Sequence, residues 1–203
     1  RRQALSFRKS SLRTANWTFN GPNETWHTNG VSKVTWQTNI YCIDVAPSNS
    51  NVLYAGGETG GVWKTEDKGL TWVLKTKNVI HDAFGAIKIH PTDANVVYAG
   101  TSGKIIKSTN GGDTWTSVYI ENGLWTNEIA ISASNPNIVI AATDSGVLRS
   151  TNGGSSWTKL FTNQTWTIKK DVTNTSKFYL VRKNGSSQAD FMTSIDSGAT
   201  WII

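Results

Sequence analysis

The chain has 203 residues, 17% of them charged, with 18 glycines and ten tryptophans. That length holds one or two domains with a real core, and sparse charge with plentiful Gly, Ser, Thr and Asn favours short strands and tight turns over amphipathic helices. No run of 18 apolar residues occurs, which excludes a membrane-spanning helix; five of the six net positive charges sit in the first 13 residues, so a nucleic-acid partner has no electrostatic footprint on the body.

In chain order, residues 1–15 read as a flexible basic leader carrying Arg1, Arg2, Arg8, Lys9 and Arg13. The chain starts without Met and shows no signal peptide, as expected of a processed or trimmed product. Residues 16–37 read as an extended segment with Trp17, Trp26 and Trp36 that docks on, or closes, the body at 38–203. The sole cysteine, Cys42, lies in the apolar run "IYCIDVA". It has no partner for an internal disulfide and reads as an inert buried thiol. "GGETGG" (56–61) lacks the Lys and helix context of a phosphate-binding loop. With no zinc spacing and no nucleophile elbow either, the sequence calls for no metal and no cofactor.

One stretch recurs four times: "KTEDKGLTW" (64–72), "KSTNGGDTW" (107–115), "RSTNGGSSW" (149–157) and "TSIDSGATW" (193–201). The closing tryptophans, Trp72, Trp115, Trp157 and Trp201, lie 43, 42 and 44 residues apart. A second element keeps the same phase: "APSNSNVLYAGG", "HPTDANVVYAGT", "SASNPNIVIAAT" and the decayed "VTNTSKFYLVR". A period of 42–44 with several short strands per copy marks a propeller blade. The second copy shows the division: strands A "GAIKI", B "VVYAG", C "KIIKS" and D "TWTSVY", separated by "HPTDAN", "TSG" and "TNGGD". A four-stranded sheet cannot bury both faces alone, but stacked sheets can, which is why the unit repeats. The expected fold is an all-β propeller with four-stranded blades at about 38–80, 81–123, 124–165 and 166–203. The last blade lacks most of strand D, and the expectation is an N-terminal part of a longer propeller.

The repeated turn has a structural reading. Asp67, Asn110, Asn152 and Asp196 can accept bonds from amides of their own turn. Gly69, Gly112, Gly154 and Gly198 supply backbone conformations closed to other residues. The closing Trp can wedge between blades.

An up-and-down order puts the A–B and C–D turns on one face, and the B–C turns and D-to-A connections on the other. The second face varies from copy to copy and gathers the side chains capable of chemistry: Glu58, His81, Asp82, Trp125, Asn127, Glu128, Asp144, Trp166 and Asp190. Aromatic rings beside carboxylates and amides suit sugar rings. The alternative is that Trp125 and Trp166 are packing residues that cap the channel.

The four turns resemble the Asp-box, or BNR, repeat of the Vps10/sortilin-like and xyloglucanase-like propeller superfamily, over about residues 38–203. That resemblance implies either a non-enzymatic binding propeller or a glycosidase. Sialidases of the superfamily need an arginine triad and an Arg-Ile-Pro signature, which this chain lacks. Xyloglucanase-like enzymes carry a catalytic Asp in a "YARTDVGGAYRW"-like motif. Here "YAGGETGGVWKT" places Glu58 at that Asp and Gly56 at the usual Arg, and a second acid is not assigned. "NWTFNGP" followed by "NIYCIDVAPSNSNVLYAGGETGGVWKTEDKGLTW" is similar to the mature start of large surface proteins of gliding Bacteroidota, exported by the type IX secretion system. The resemblance implies a secreted or cell-surface module with a glycan or protein ligand, and secretion machinery as a partner to the cargo.

Overall fold

The structure is a computed structural model, and it describes residues 25–26, 33–34, 39–58, 60–77 and 83–203. The basic leader 1–15, Trp17, Trp36, His81 and Asp82 lie outside the described residues. The described strands are antiparallel to their sheet neighbours, and no helix occurs among the described residues.

Strands β1 (Thr25–Trp26) and β2 (Lys33–Val34) pair with each other. The first repeat forms a four-stranded meander of β3 (Ile40–Val45), β4 (Leu53–Gly57), β5 (Val62–Thr65) and β6 (Val73–Leu74). The last forms β13 (Thr165–Lys170), β14 (Phe178–Asn184) and β15 (Gln188–Ser194), with Ile202 bridging to Thr193 where a fourth strand would start.

The two middle repeats form β7 (Phe84–Ile89), β8 (Val97–Ser108), β9 (Thr116–Ile131), β10 (Val139–Thr143), β11 (Gly146–Ser150) and β12 (Thr158–Phe161), in two antiparallel ladders, β7–β8–β9 and β9–β10–β11–β12, that share the long strand β9. Residues 97–101 of β8 pair with β7, and residues 104–107 pair with β9. The connection 119–128 lies within β9: Tyr119, Ile120 and Trp125 pair with β8, Thr126 and residues 128–131 pair with β10, and Gly123 between them is left-handed at φ 77°. Leu124 is only 1% exposed and anchors this stretch in the second apolar cluster. Burying that side chain draws its backbone inward, and buried amides and carbonyls must be paired.

Three apolar clusters sit between consecutive repeats. Val62 and Tyr54 of the first meet Phe84, Ile87 and Ile106 of the second. Ala86, Tyr98 and Ile105 of the second meet Ile129, Val139 and Leu148 of the third. Ala130, Ile140 and Val147 of the third meet Ile168, Phe178 and Leu180 of the fourth. Both faces of the middle sheets are thus buried, so their strands read as near-continuous apolar runs, as in "VIAAT" of β10. Trp115, Trp157 and Trp201 pack one on each cluster.

The inner bonds of the Asp-box turns recur in all four copies. In the third copy, Ser150 Oγ accepts from Gly154 N at 2.8 Å and donates to Asn152 Oδ1 at 2.9 Å. Asn152 Oδ1 also accepts from Ser156 N at 2.9 Å, and Trp157 Nε1 donates to Gly154 O at 3.1 Å. Thr65 with Asp67, Ser108 with Asn110, and Ser194 with Asp196 make the same inner bonds. Trp72 and Trp201 repeat the indole bond, to Gly69 O and Gly198 O, whereas Trp115 Nε1 reaches the previous repeat at Lys75 O, 3.3 Å away. Two consecutive residues of each turn are left-handed: Lys68–Gly69, Gly111–Gly112, Gly153–Gly154 and Ser197–Gly198. The first of each pair donates its amide to the turn between the first two strands of its own repeat, at Asn51, Asn95, Asn137 or Ser176.

A cation one repeat earlier completes the turn. Lys107 Nζ and Tyr98 Oη donate to Gly153 O at 2.8 and 2.9 Å, and Arg149 Nε donates to Ser197 O at 3.0 Å. The basic residue that opens the repeated stretch thus stitches the second repeat to the third and the third to the fourth.

Candidate functional site

The far end of the repeats is built on bulges. The first strand of each repeat slips register once, between Ile40 and Cys42, Phe84 and Ala86, Thr126 and Glu128, and Thr165 and Thr167. A bulge leaves one residue unpaired and re-aims its side chain. Those residues are Tyr41, Gly85, Asn127 and Trp166. All four line one open hollow of about 580 Å³, together with Glu58, Ala83 and Trp125.

Each lining residue has a local reason for its place. Glu58 follows β4, and its amide donates to Asn39 O at 2.9 Å. Asn39 Nδ2 returns a bond to Glu58 Oε2 at 2.8 Å, which orients the carboxylate. Asp144 and Lys183 hold the matching positions in later repeats, with amides bonded to Trp125 O and Gln164 O. Tyr41 and Trp125 stand as perpendicular walls, with ring centroids 6.5 Å apart and planes at 78°. The Glu58 carboxylate beside the Tyr41 hydroxyl pushes that phenol up from its ordinary pKa. Gly85 leaves no room for a side chain: a Cβ there would lie 2.3 Å from the Thr126 carbonyl oxygen and 2.9 Å from Cε2 and Cζ2 of the Trp125 ring. Trp166 is 43% exposed.

Of the residues singled out from sequence, Glu58, Trp125, Asn127 and Trp166 come together at the hollow. Asp144 stands behind it, accepting from Asn127 Nδ2 at 2.8 Å and from Gln164 Nε2 at 3.0 Å. Asn127 also donates to Thr165 O at 2.9 Å, so this pair ties the third repeat to the fourth. Glu128 is not at the hollow. Its carboxylate accepts from Thr167 Oγ1 and Ile168 N and pairs with Lys169 across the seam. Asp44 does the same at the first seam, with Lys88 Nζ and Ile89 N, each at 2.8 Å. Asp190 pairs with Arg182 at 3.0 Å inside the last hairpin. Tyr41 was missed, although it shares its repeat position with Asn127 and Trp166.

Cys42 is half-buried, and burial pushes its thiol up to about 12, which disfavours the thiolate at neutral pH. Among the described residues, no three His, Cys, Asp or Glu side chains gather as a metal site requires.

Antiparallel sheets stacked through apolar seams, with Asp-box turns at one end, define a BNR-type β-propeller. The sequence matches the family of the photosynthesis system II assembly factor YCF48 over residues 23–202, and the chain belongs to that family. No curated protein matches the sequence. Among solved structures, a GH74 enzyme from Niastella koreensis is similar with a TM-score of 0.66 and 23% identity, over 79% of this chain and 28% of that one. The GH74 xyloglucanase from Xanthomonas campestris gives 0.67 and 13%, over 84% and 32%. YCF48 from Cyanidioschyzon merolae gives 0.60 and 18%, over 83% and 56%. At these identities the likeness is one of fold. The chain spans about a third or less of the two GH74 enzymes and just over half of the YCF48 structure.

Proposed function

We propose that the chain is a binding and scaffold module of a secreted or cell-surface protein, which takes a glycan or protein ligand at the bulge-end hollow without covalent chemistry. One observation carries this reading: bulges at equivalent positions in all four repeats turn their unpaired residues toward one opening that also holds Glu58 and Trp125. Bulges concentrate where a side chain is re-aimed for use. Exposed aromatic faces beside a carboxylate and an amide match the apolar faces and hydroxyls of a sugar. The assembly factor named by the family supports the scaffold half of the reading. The likeness of residues 16–72 to exported surface proteins supports type IX secretion cargo as its setting. The test is a glycan array probed with the parent protein and with Trp125→Ala and Trp166→Ala. Hits that both variants lose are expected; no hits, or hits untouched by either change, would count against sugar recognition there.

A second reading is favoured by the position of Glu58 in the hollow. In a xyloglucanase-like hydrolase it would be one catalytic carboxylate, with the second acid supplied from outside these residues. Xyloglucan hydrolysis abolished by Glu58→Gln supports that role, and hydrolysis that survives the change removes it.

A further inference from the structure

The hollow carries a charge and ring arrangement that narrows its ligand beyond a glycan in general. Its described lining has one ionisable acid, Glu58, and no Lys or Arg. Asp144 stands behind it, held by two amide side chains. An anionic ligand in that lining would thus meet a carboxylate and no Lys or Arg. Tyr41 and Trp125 meet edge to face at 78°, and an exposed aromatic face carries the negative side of the ring quadrupole. The Glu58 carboxylate lies beside Tyr41. Aromatic faces next to a carboxylate attract an organic cation, by cation–π attraction and by charge together. Trp166 adds an exposed aromatic face of the kind that stacks on a pyranose ring.

We propose that the hollow recognises an amino sugar bearing a free ammonium group, as in a glucosamine oligosaccharide. The ammonium sits in the Tyr41–Trp125 corner against Glu58, and sugar rings extend over Trp166. The N-acetylated sugar has the same ring and hydroxyls without the charge, so it isolates the contribution of the cation. This inference rests on the binding reading above and deepens it.

The experiment is a titration followed by tryptophan fluorescence and calorimetry. It compares a glucosamine tetramer, the N-acetylglucosamine tetramer and tetramethylammonium, at a pH where the sugar amine is protonated. The expected result is binding of the glucosamine tetramer about tenfold tighter than of its acetylated twin. That preference weakens with added salt and collapses in Glu58→Gln. Tyr41→Leu, at a half-exposed position outside the seams, removes one wall and is expected to lose the preference with the melting temperature unchanged. Equal or tighter binding of the acetylated tetramer overturns the proposal and leaves the module a binder of neutral glycans. Tetramethylammonium binding as tightly as the tetramer removes the sugar and overturns it as well. If neither saccharide binds, both the inference and the glycan reading fall.

Discussion

At the Asp-box end of the molecule, four copies of one turn make nearly the same bonds. A Ser or Thr hydroxyl, an Asp or Asn oxygen and a glycine amide close each turn, and a cation from the previous repeat caps two of them. At the bulge end, the four copies share only a backbone irregularity. The side chains it presents are Tyr41, Gly85, Asn127 and Trp166, and no two are alike. A repeated end whose polar groups satisfy each other inside the turn has little left to offer a ligand. An end where the backbone repeats and the side chains vary can be fitted to one. The contrast separates scaffold from candidate site within each unit.

The comparison is broken most strongly by removing a turn hydroxyl. Ser150→Ala strips the acceptor from Gly154 N, a buried amide, and the donor from Asn152. A loss of about 1–3 kcal/mol in chemical denaturation is expected, with ligand binding unchanged. Gly154→Ala is next: its φ of 87° and a Cβ only 3.2 Å from Tyr98 Cε1 make it strained. The same denaturation measurement is expected to read about 1–2 kcal/mol. By contrast, Trp166→Ala at the exposed hollow is expected to shift stability by no more than about 0.5 kcal/mol while weakening the ligand.

Two turns have room to improve. Lys68 and Ser197 hold left-handed backbone, with φ of 62° and 57°, where the middle copies have Gly111 and Gly153. Lys68→Gly or Ser197→Gly is expected to gain up to about 1 kcal/mol in thermal or chemical melts. The Asp and Asn copies also separate by pH. Asp67 is held at about 2 by bonds from the Thr65 hydroxyl and the Thr71 hydroxyl and amide. Asp196 also falls to about 2: burial opposes its charge, but the Thr200 hydroxyl and amide outweigh it, with help from Ser194 and Ala199. A folded pKa below the ordinary 3.8 means that the contribution is complete above about 4 and is lost as the pH falls toward 2. Amide protection factors, relative to the unstructured peptide at the same pH, are expected to fall at Thr71 and Thr200 across that window, while Thr114 and Ser156 in the Asn turns keep theirs.

The turns were legible in sequence because their bonds are local, joining residues two to four apart. The propeller was legible because its period is set by covalent spacing. The stitching was not, although the basic residue opening three of the four stretches was in plain view. Lys107 meets Gly153 O across 46 residues, and nothing in either turn alone names its partner. The bulges left no trace because no residue type is common to Tyr41, Gly85, Asn127 and Trp166. Gly85 reads as a plain strand glycine until the Trp125 ring is found lying on it. Strand 116–131 was read as strand D, a connection and the next first strand, because nothing local announces that Leu124 is buried and Trp125 pairs with Ser102.

The most direct measurement is the indole N–H spectrum of the protein during titration with the glucosamine tetramer. The Nε1 signals of Trp125 and Trp166 are expected to move together. Those of Trp72, Trp115, Trp157 and Trp201, at the Asp-box end, are expected to stay in place. Movement at the Asp-box tryptophans with Trp125 and Trp166 unmoved would contradict the division of the molecule into scaffold and site.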